Sequence, residues 1–140
     1  NVAFKSGTNR FYTMFTGGLR PNNPWFFGLG YGFGKKIDTW KWLSISIDAT
    51  GTFVNESEID SSYIWELNIL SRLDLTLDFT LGRFALLAGP ALNVHVSQLG
   101  YTESGNFTSS IAINPFYTEA YDNTQIQAWI GAKFGLRYSF

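Results

Sequence analysis

Several features are scarce or absent in this 140-residue chain, and each absence removes a class of function. Cysteine is missing, which excludes disulfides and thiolate metal sites, and nothing in the sequence suggests a cofactor or a metal ion. The sequence has ten Lys and Arg residues and eleven Asp and Glu residues, and no run of like charges. We therefore expect no nucleic-acid partner. No apolar run approaches the ~18 residues of a membrane-spanning helix. This excludes transmembrane helices but not strands that cross a membrane.

The sequence is rich instead in residues that form sheets. Aromatic residues make up 18% of it, glycine occurs 14 times and charged residues account for only 15%, a composition typical of β-proteins. The composition does not shift from one part of the chain to another, so we treat residues 1–140 as one domain. Apolar and polar residues alternate, which places them on opposite faces of a strand. The clearest example is "YIWELNILSRLDLTLDF", residues 63–79, where every odd position except Ser71 is apolar.

Six segments show this alternation, and the pattern predicts that each is a strand. They are residues 10–19, 25–34, 43–53, 63–79, 83–97 and 126–140. Several reach about 15 residues, whereas strands of soluble proteins run roughly 5 or 6 and a membrane-crossing strand needs roughly 9 to 11. Short and long connections also alternate along the chain, as they do in outer-membrane barrels. The predicted fold is all-β, an antiparallel transmembrane β-barrel.

The number of strands leaves a question open, because the smallest single-chain membrane barrels have eight. Either strands precede Asn1 in a longer native chain, or residues 1–9 and part of the connection 99–123 complete an eight-stranded closure. A second question concerns Trp40 and Trp42, whose positions oppose the alternation of residues 43–47. These two residues require either a bulge or an inward-facing pair.

The polar face of the predicted strands carries most of the ionisable residues. By their position in the alternation they project into one interior: Asp48, Glu66, Arg72, Asp74, Asp78, His95, Lys133 and Arg137. Charges in a low-dielectric space need partners, and small barrels fill their interior with side chains. We therefore predict a paired polar network that plugs the barrel; the other interpretation is the lining of a narrow pore or solute site.

The chain ends in "AWIGAKFGLRYSF", where Phe134, Leu136, Tyr138 and Phe140 alternate on one face. This ending resembles the C-terminal signature of bacterial outer-membrane β-barrel proteins, in which the barrel-assembly machinery reads the final aromatic residue. The segment "LDFTLGRFALLAGPALNVHVS" also resembles a periplasmic hairpin common in small barrels of that class. The resemblance implies a Gram-negative outer membrane, contact with outer-membrane lipid, assembly by that machinery and insertion as a closed sheet.

His95 and Ser97 lie two residues apart and so share one face of a strand. A His and a Ser at this spacing resemble the pair of outer-membrane lipid A 3-O-deacylases, which gives a lipid A modifying hydrolase as an alternative function. Their face is opposite to that of Val94 and Val96, which places them in the interior and away from lipid. We therefore predict no catalytic residues and no enzymatic activity, and we expect His95 to be hydrogen-bonded inside the barrel.

The connection 99–123 carries aromatic residues among Ser, Thr and Asn, a composition typical of recognition loops on rigid scaffolds. Its candidate recognition residues are Tyr101, Phe107, Phe116, Tyr117 and Tyr121. We hypothesise that this loop binds a partner protein or a surface glycan.

The sequence thus predicts an integral outer-membrane β-barrel protein that acts as a membrane scaffold, an anchor or a small pore, with surface loops for recognition. A soluble lipocalin-like ligand-binding barrel is the alternative from another class. It has the same alternation with the two faces exchanged. The leucine-rich face then lines a cavity, and the residues that face water are Glu66, Arg72, Asp74 and Asp78.

Overall fold

The chain is built almost entirely of β-strands. The computed structural model describes residues 2–8, 10–20, 26–56, 68–98, 114–122 and 124–139. Its strands are β1 (Val2–Gly7), β2 (Phe11–Arg20), β3 (Phe26–Trp40), β4 (Leu43–Glu56), β5 (Asn68–Leu81), β6 (Phe84–Ser97), β7 (Tyr117–Tyr121) and β8 (Thr124–Tyr138). The described residues contain no helix that could span a membrane. The prediction of an all-β fold is confirmed.

All eight strands belong to one antiparallel sheet, in the order β1-β2-β3-β4-β5-β6-β8-β7. The strand β8 pairs along its length with β6, and β7 covers only its first part, from Thr124 to Ala128. From Trp129 to Tyr138, β8 has no described strand on its other side, and β1 has none beyond β2. The antiparallel architecture is confirmed, while closure of the barrel stays a prediction.

Two of the strands are additional to the six predicted ones. The strand β1 lies in residues 1–9 and β7 lies in the connection 99–123, which are the segments of the second explanation for the strand number. Residues 117–121 therefore form a strand and not part of a loop. Asp122, which follows β7, has a φ of 56°, a left-handed conformation that tight hairpin turns need and that Asp adopts more readily than most residues.

The faces of the sheet have the reverse of the usual polarity. On β5, Asp74 and Asp78 are 3% and 0% exposed, whereas Leu75 and Leu77 are 48% and 44% exposed. Successive side chains of a strand point to opposite sides, and the sheet curls around its polar side, because Lys5 and Lys133 from its two ends both reach Asp48. The described part of the chain thus has a polar interior and an apolar exterior, opposite to a soluble domain.

Aromatic residues collect at the end of the sheet where the short turns lie. The register of β3 and β4 shifts between Asp38 and Trp40. Of the two explanations for the positions of Trp40 and Trp42, the structure therefore has the bulge, located in β3, and not the inward-facing pair. Trp40 and Trp42 are both exposed, stack with ring centroids 6.0 Å apart, and Trp42 stacks on Phe79 at 6.1 Å. At the same end Phe84 packs against Tyr138, with 5.1 Å between ring centroids.

A proline interrupts the ladder between two central strands. In the pairing of β5 with β6, Asp74 is opposite Ala91 and Leu77 is opposite Ala88, but the two residues between them on each strand are unpaired in the register. Pro90 lies there and has no N–H to donate. The neighbouring Gly89 approaches β5 so closely that a Cβ atom would overlap the carbonyl oxygen of Leu75.

Candidate functional site: the polar interior

Asp48, on β4, is the centre of a charged cluster inside the sheet. Its Oδ2 atom lies 2.9 Å from Nζ of Lys5 and 3.0 Å from Nζ of Lys133. Its Oδ1 atom accepts a hydrogen bond of 2.5 Å from the hydroxyl of Tyr12. The carboxylate is 1% exposed, so these three donors replace the water that it loses. The contacts join β1, β2 and β8 to β4 through one side chain.

The strand β5 adds two more buried carboxylates, and the first is Asp74. Its Oδ2 atom lies 2.6 Å from Nζ of Lys133, and its Oδ1 atom lies 2.5 Å from Nε of Arg72. Lys133 therefore bridges Asp48 and Asp74, which belong to neighbouring strands and stand opposite each other in the ladder. Without that bridging ammonium the two like charges would repel each other at close range.

Asp78 is the third carboxylate, four residues after Asp74 on β5 and nearer the short-turn end. Its Oδ2 atom accepts hydrogen bonds from Arg137 Nη1 at 2.7 Å and from Ser46 Oγ at 2.7 Å. Its Oδ1 atom accepts one from Thr76 Oγ1 at 3.1 Å. A fully buried charge is stable only with such a set of partners, because Coulomb attraction alone does not offset its desolvation.

The charged cluster (Lys5, Tyr12, Asp48, Arg72, Asp74, Asp78, Lys133 and Arg137) joins side chains from five strands across the interior. Each carboxylate binds at least one cation, and the cationic side chains are between 19% and 24% exposed. In this arrangement the side-chain donors and acceptors of the charged cluster bind one another, so they are not available to coordinate an ion. The described carboxylates and cations of the interior are therefore paired with one another.

Toward the other end of the sheet the interior is polar but uncharged. His95 is 1% exposed, and its Nε2 atom lies 2.6 Å from Oδ1 of Asn68. Asn93 donates to the backbone carbonyl of Trp129 at 3.4 Å, and Trp129 is itself 7% exposed. Trp129 packs against Val54 and Leu70, so apolar contacts fill part of this region.

The structure brings together six of the eight predicted interior residues in the charged cluster and places His95 in the uncharged region. Glu66, the eighth, lies outside the described residues. Sequence reasoning missed Lys5 and Tyr12, since β1 is only six residues long and β2 has apolar residues on both faces. Tyr12 and Met14 point inward at 9% and 1% exposure. The one sequence feature that could have indicated Tyr12 is the glycine-rich inner face of β3. The ring of Tyr12 packs over Gly34, where a Cβ atom would clash with it.

The other predicted residues lie on the outer surface or outside the described ranges. Phe134, Leu136 and Tyr138 project outward and are 81%, 76% and 43% exposed. Phe116, Tyr117 and Tyr121 are exposed at the start of the last hairpin, where Tyr117 donates a hydrogen bond to Glu119. Besides Glu66, three predicted residues lie outside the described part of the chain: Tyr101, Phe107 and Phe140.

In the described ranges, no group of three or more His, Cys, Asp and Glu side chains could hold a metal ion. His95 and Ser97 are each 1% exposed and face the interior. A lipid on the outer surface therefore cannot reach them in this arrangement. Comparisons of the chain with protein families, with curated proteins and with solved structures found no match.

Proposed function

We propose that the protein is an integral outer-membrane β-barrel protein that acts as a membrane anchor and scaffold, with its interior plugged by the charged cluster. It has no enzymatic role in this proposal, and its exposed last hairpin offers a surface for recognition. Each part of the proposal depends on a separate observation.

The observation that carries the proposal is the reversed polarity of the sheet. Large apolar side chains cover the outward face of every long strand, for example Phe15 on β2, Phe33 on β3, Phe53 on β4 and Phe134 on β8, each at least 60% exposed. Soluble monomers rarely expose an apolar patch beyond a few hundred Å². A hydrocarbon environment removes that penalty, because the outward side chains then contact lipid.

The strand lengths and the aromatic end agree with this environment. Four strands of 14 or 15 residues follow one another from β3 to β6, which exceeds the roughly 9 to 11 that a tilted strand needs in the hydrocarbon. Trp40, Trp42, Phe79, Phe84 and Tyr138 lie together at the short-turn end. Such a band is typical of residues at the membrane–water interface.

The anchor is favoured over a pore because the cluster occupies the interior. Asp48 contacts β1, β2 and β8, so that side chains from three other strands meet on β4. A small barrel of about eight strands has an interior only wide enough for side chains. We therefore expect no ion conductance from the native protein.

The soluble lipocalin-like alternative fits the described residues poorly. It needs Asp74 and Asp78 in water and the leucines of β5 around a cavity, whereas these carboxylates are buried and Leu73, Leu75 and Leu77 are exposed. The hydrolase alternative fits poorly for a different reason, since His95 and Ser97 are enclosed by the sheet.

Membrane fractionation followed by an unheated detergent gel tests the proposal. We expect the protein to stay in the membrane pellet after an alkaline wash, and to migrate faster unheated than boiled because a closed sheet resists the detergent. Quantitative recovery in the soluble fraction without detergent would contradict the proposal. In planar bilayers, steady single-channel currents from the native protein would contradict the plug but not the membrane location.

A further inference from the structure

A groove interrupts the bulky outward face of the sheet between β3 and β6. It is an open groove with a volume of about 440 Å³, and it lies among well-paired central strands, away from the sheet edges. Its floor is made of three small residues on the two middle strands, Ala49, Gly51 and Ser71. Gly51 and Ser71 stand opposite each other in the ladder, so two small residues coincide and deepen the groove.

The walls of the groove are large and apolar. Tyr31 and Phe33 on β3 form one side, and Leu92 and Val94 on β6 form the other. Arg72 borders the groove, but its guanidinium binds Asp74 on the inner face of the sheet. An occupant therefore meets mainly hydrocarbon and no free charge; the lining side chains that carry a hydroxyl are those of Tyr31, Thr50 and Ser71. A charged or strongly polar ligand would lose its hydration without compensation here.

The size of the groove fits one small apolar ligand and not a second protein. Ligand sites enclose roughly 300 to 1,000 Å³, a range that includes this volume. A stable protein interface uses roughly 20 to 30 residues on each side, whereas eleven residues line the groove. A hydrocarbon chain has the required shape and polarity, since it gains free energy from each buried methylene.

The position of the groove along β5 indicates which leaflet of the membrane supplies the hydrocarbon chain. Leu73, at the groove, lies six residues before Phe79 of the aromatic end. With a rise of about 3.3 Å per residue and a tilt of about 40°, the groove is about 15 Å from that end. The apolar band of such barrels is about 25 Å tall, so the groove lies beyond the middle, in the half farther from the short turns.

We propose that this groove binds one acyl chain of an outer-leaflet lipid at a fixed place on the barrel surface. The proposal rests on the membrane location proposed above and goes beyond it, because general contact with lipid needs no groove. Gly51 is the residue that keeps the site open, since no atom lies within 4 Å of where its Cβ would be. A large side chain at this position fills the groove without displacing the sheet.

Crosslinking in vesicles tests the inference. The native protein and two variants are inserted into phosphatidylcholine vesicles that contain a small fraction of phosphatidylcholine with a diazirine in the middle of one acyl chain. Gly51→Trp fills the groove. Gly17→Trp is the matched control, because Gly17 is on β2, outside the groove, and a Cβ there makes only ordinary contact with Leu29. Crosslinked residues are mapped by mass spectrometry after irradiation.

In the native protein and in Gly17→Trp, we expect crosslinks concentrated on Leu73, Leu92 and Val94; in Gly51→Trp, we expect them to be lost there while other outward residues keep theirs. Crosslinks spread evenly around the outward face would overturn the groove site and leave the membrane location intact. A concentration-dependent dimer that Gly51→Trp abolishes would also overturn it, in favour of a second copy. Failure of the native protein to insert, with no crosslinks at all, would instead contradict the proposed function.

Discussion

The Nζ atom of Lys133 lies 3.0 Å from Oδ2 of Asp48, although two strands separate β8 from β4 in the sheet. The same oxygen lies 2.9 Å from Nζ of Lys5 on β1, at the other side of the sheet. The two sides therefore converge on a single buried carboxylate. This convergence requires a strongly curled sheet, and it links the curvature of the fold to the pairing of its interior charges.

Loss of the Asp48 charge should destabilise the fold strongly. We expect Asp48→Asn to lower the free energy of unfolding by about 3 kcal/mol, because Lys5 and Lys133 lose a buried counter-ion. The measurement is urea unfolding in lipid vesicles, followed by tryptophan fluorescence. Asp38→Asn is the control, since Asp38 is 58% exposed and pairs with Lys36 at 3.3 Å, and it should cost at most about 1 kcal/mol. Equal effects of the two substitutions would contradict the central role of Asp48.

A positive charge on the outward face should cost free energy in proportion to its depth. Leu75 and Leu81 both point outward on β5, near the middle and at the short-turn end. In a bilayer, Leu75→Arg should destabilise the protein by about 2–4 kcal/mol and Leu81→Arg by at most about 1 kcal/mol. Urea titrations of both variants in the same vesicles measure the difference. Similar small effects at the two positions would indicate that the outward face does not contact hydrocarbon.

Pattern and composition were enough to predict the six longer strands and the inward faces of most of them, but not the contacts between them. Asp74 and Asp78 were assigned to the interior because β5 alternates over many residues, and they are buried as expected. Lys5 was missed because a six-residue strand carries too little alternation to stand out from a loop. The bridge from Lys133 to Asp48 depends on how far the sheet curls, a long-range property that no local period encodes.

Two glycines in the sheet should respond oppositely to alanine. At Gly89 the added methyl group meets the backbone of β5 at Leu75, so Gly89→Ala should destabilise by about 1–3 kcal/mol. At Gly51 there is open space, so Gly51→Ala should stabilise by about 0.4–1 kcal/mol, since it restricts the unfolded chain. Thermal or urea unfolding in detergent compares them. The opposite order would show that the approach of β6 to β5 at Pro90 is looser than described.

The outward residues of the last strand should matter more for assembly than for stability. Leu136 is 76% exposed, and its truncation creates no cavity. We expect Leu136→Ala to change the free energy of unfolding in detergent by less than about 1 kcal/mol, while the amount of protein assembled in the outer membrane of cells falls. Deleting Phe140 should act in the same way. Parallel losses in refolding and in cellular assembly would mean that these residues serve packing alone.

The reversed polarity of β5 is the basis of the whole account, and the lack of cysteine makes it directly measurable. Single cysteines introduced one at a time from Leu73 to Phe79 are labelled with nitroxides in vesicles, and their exposure to oxygen and to a water-soluble nickel complex is recorded by electron paramagnetic resonance. We predict that oxygen accessibility alternates with period two, high at odd positions and low at even positions, with little access for nickel at the odd ones. High nickel access at the odd positions, or no alternation, would contradict the account.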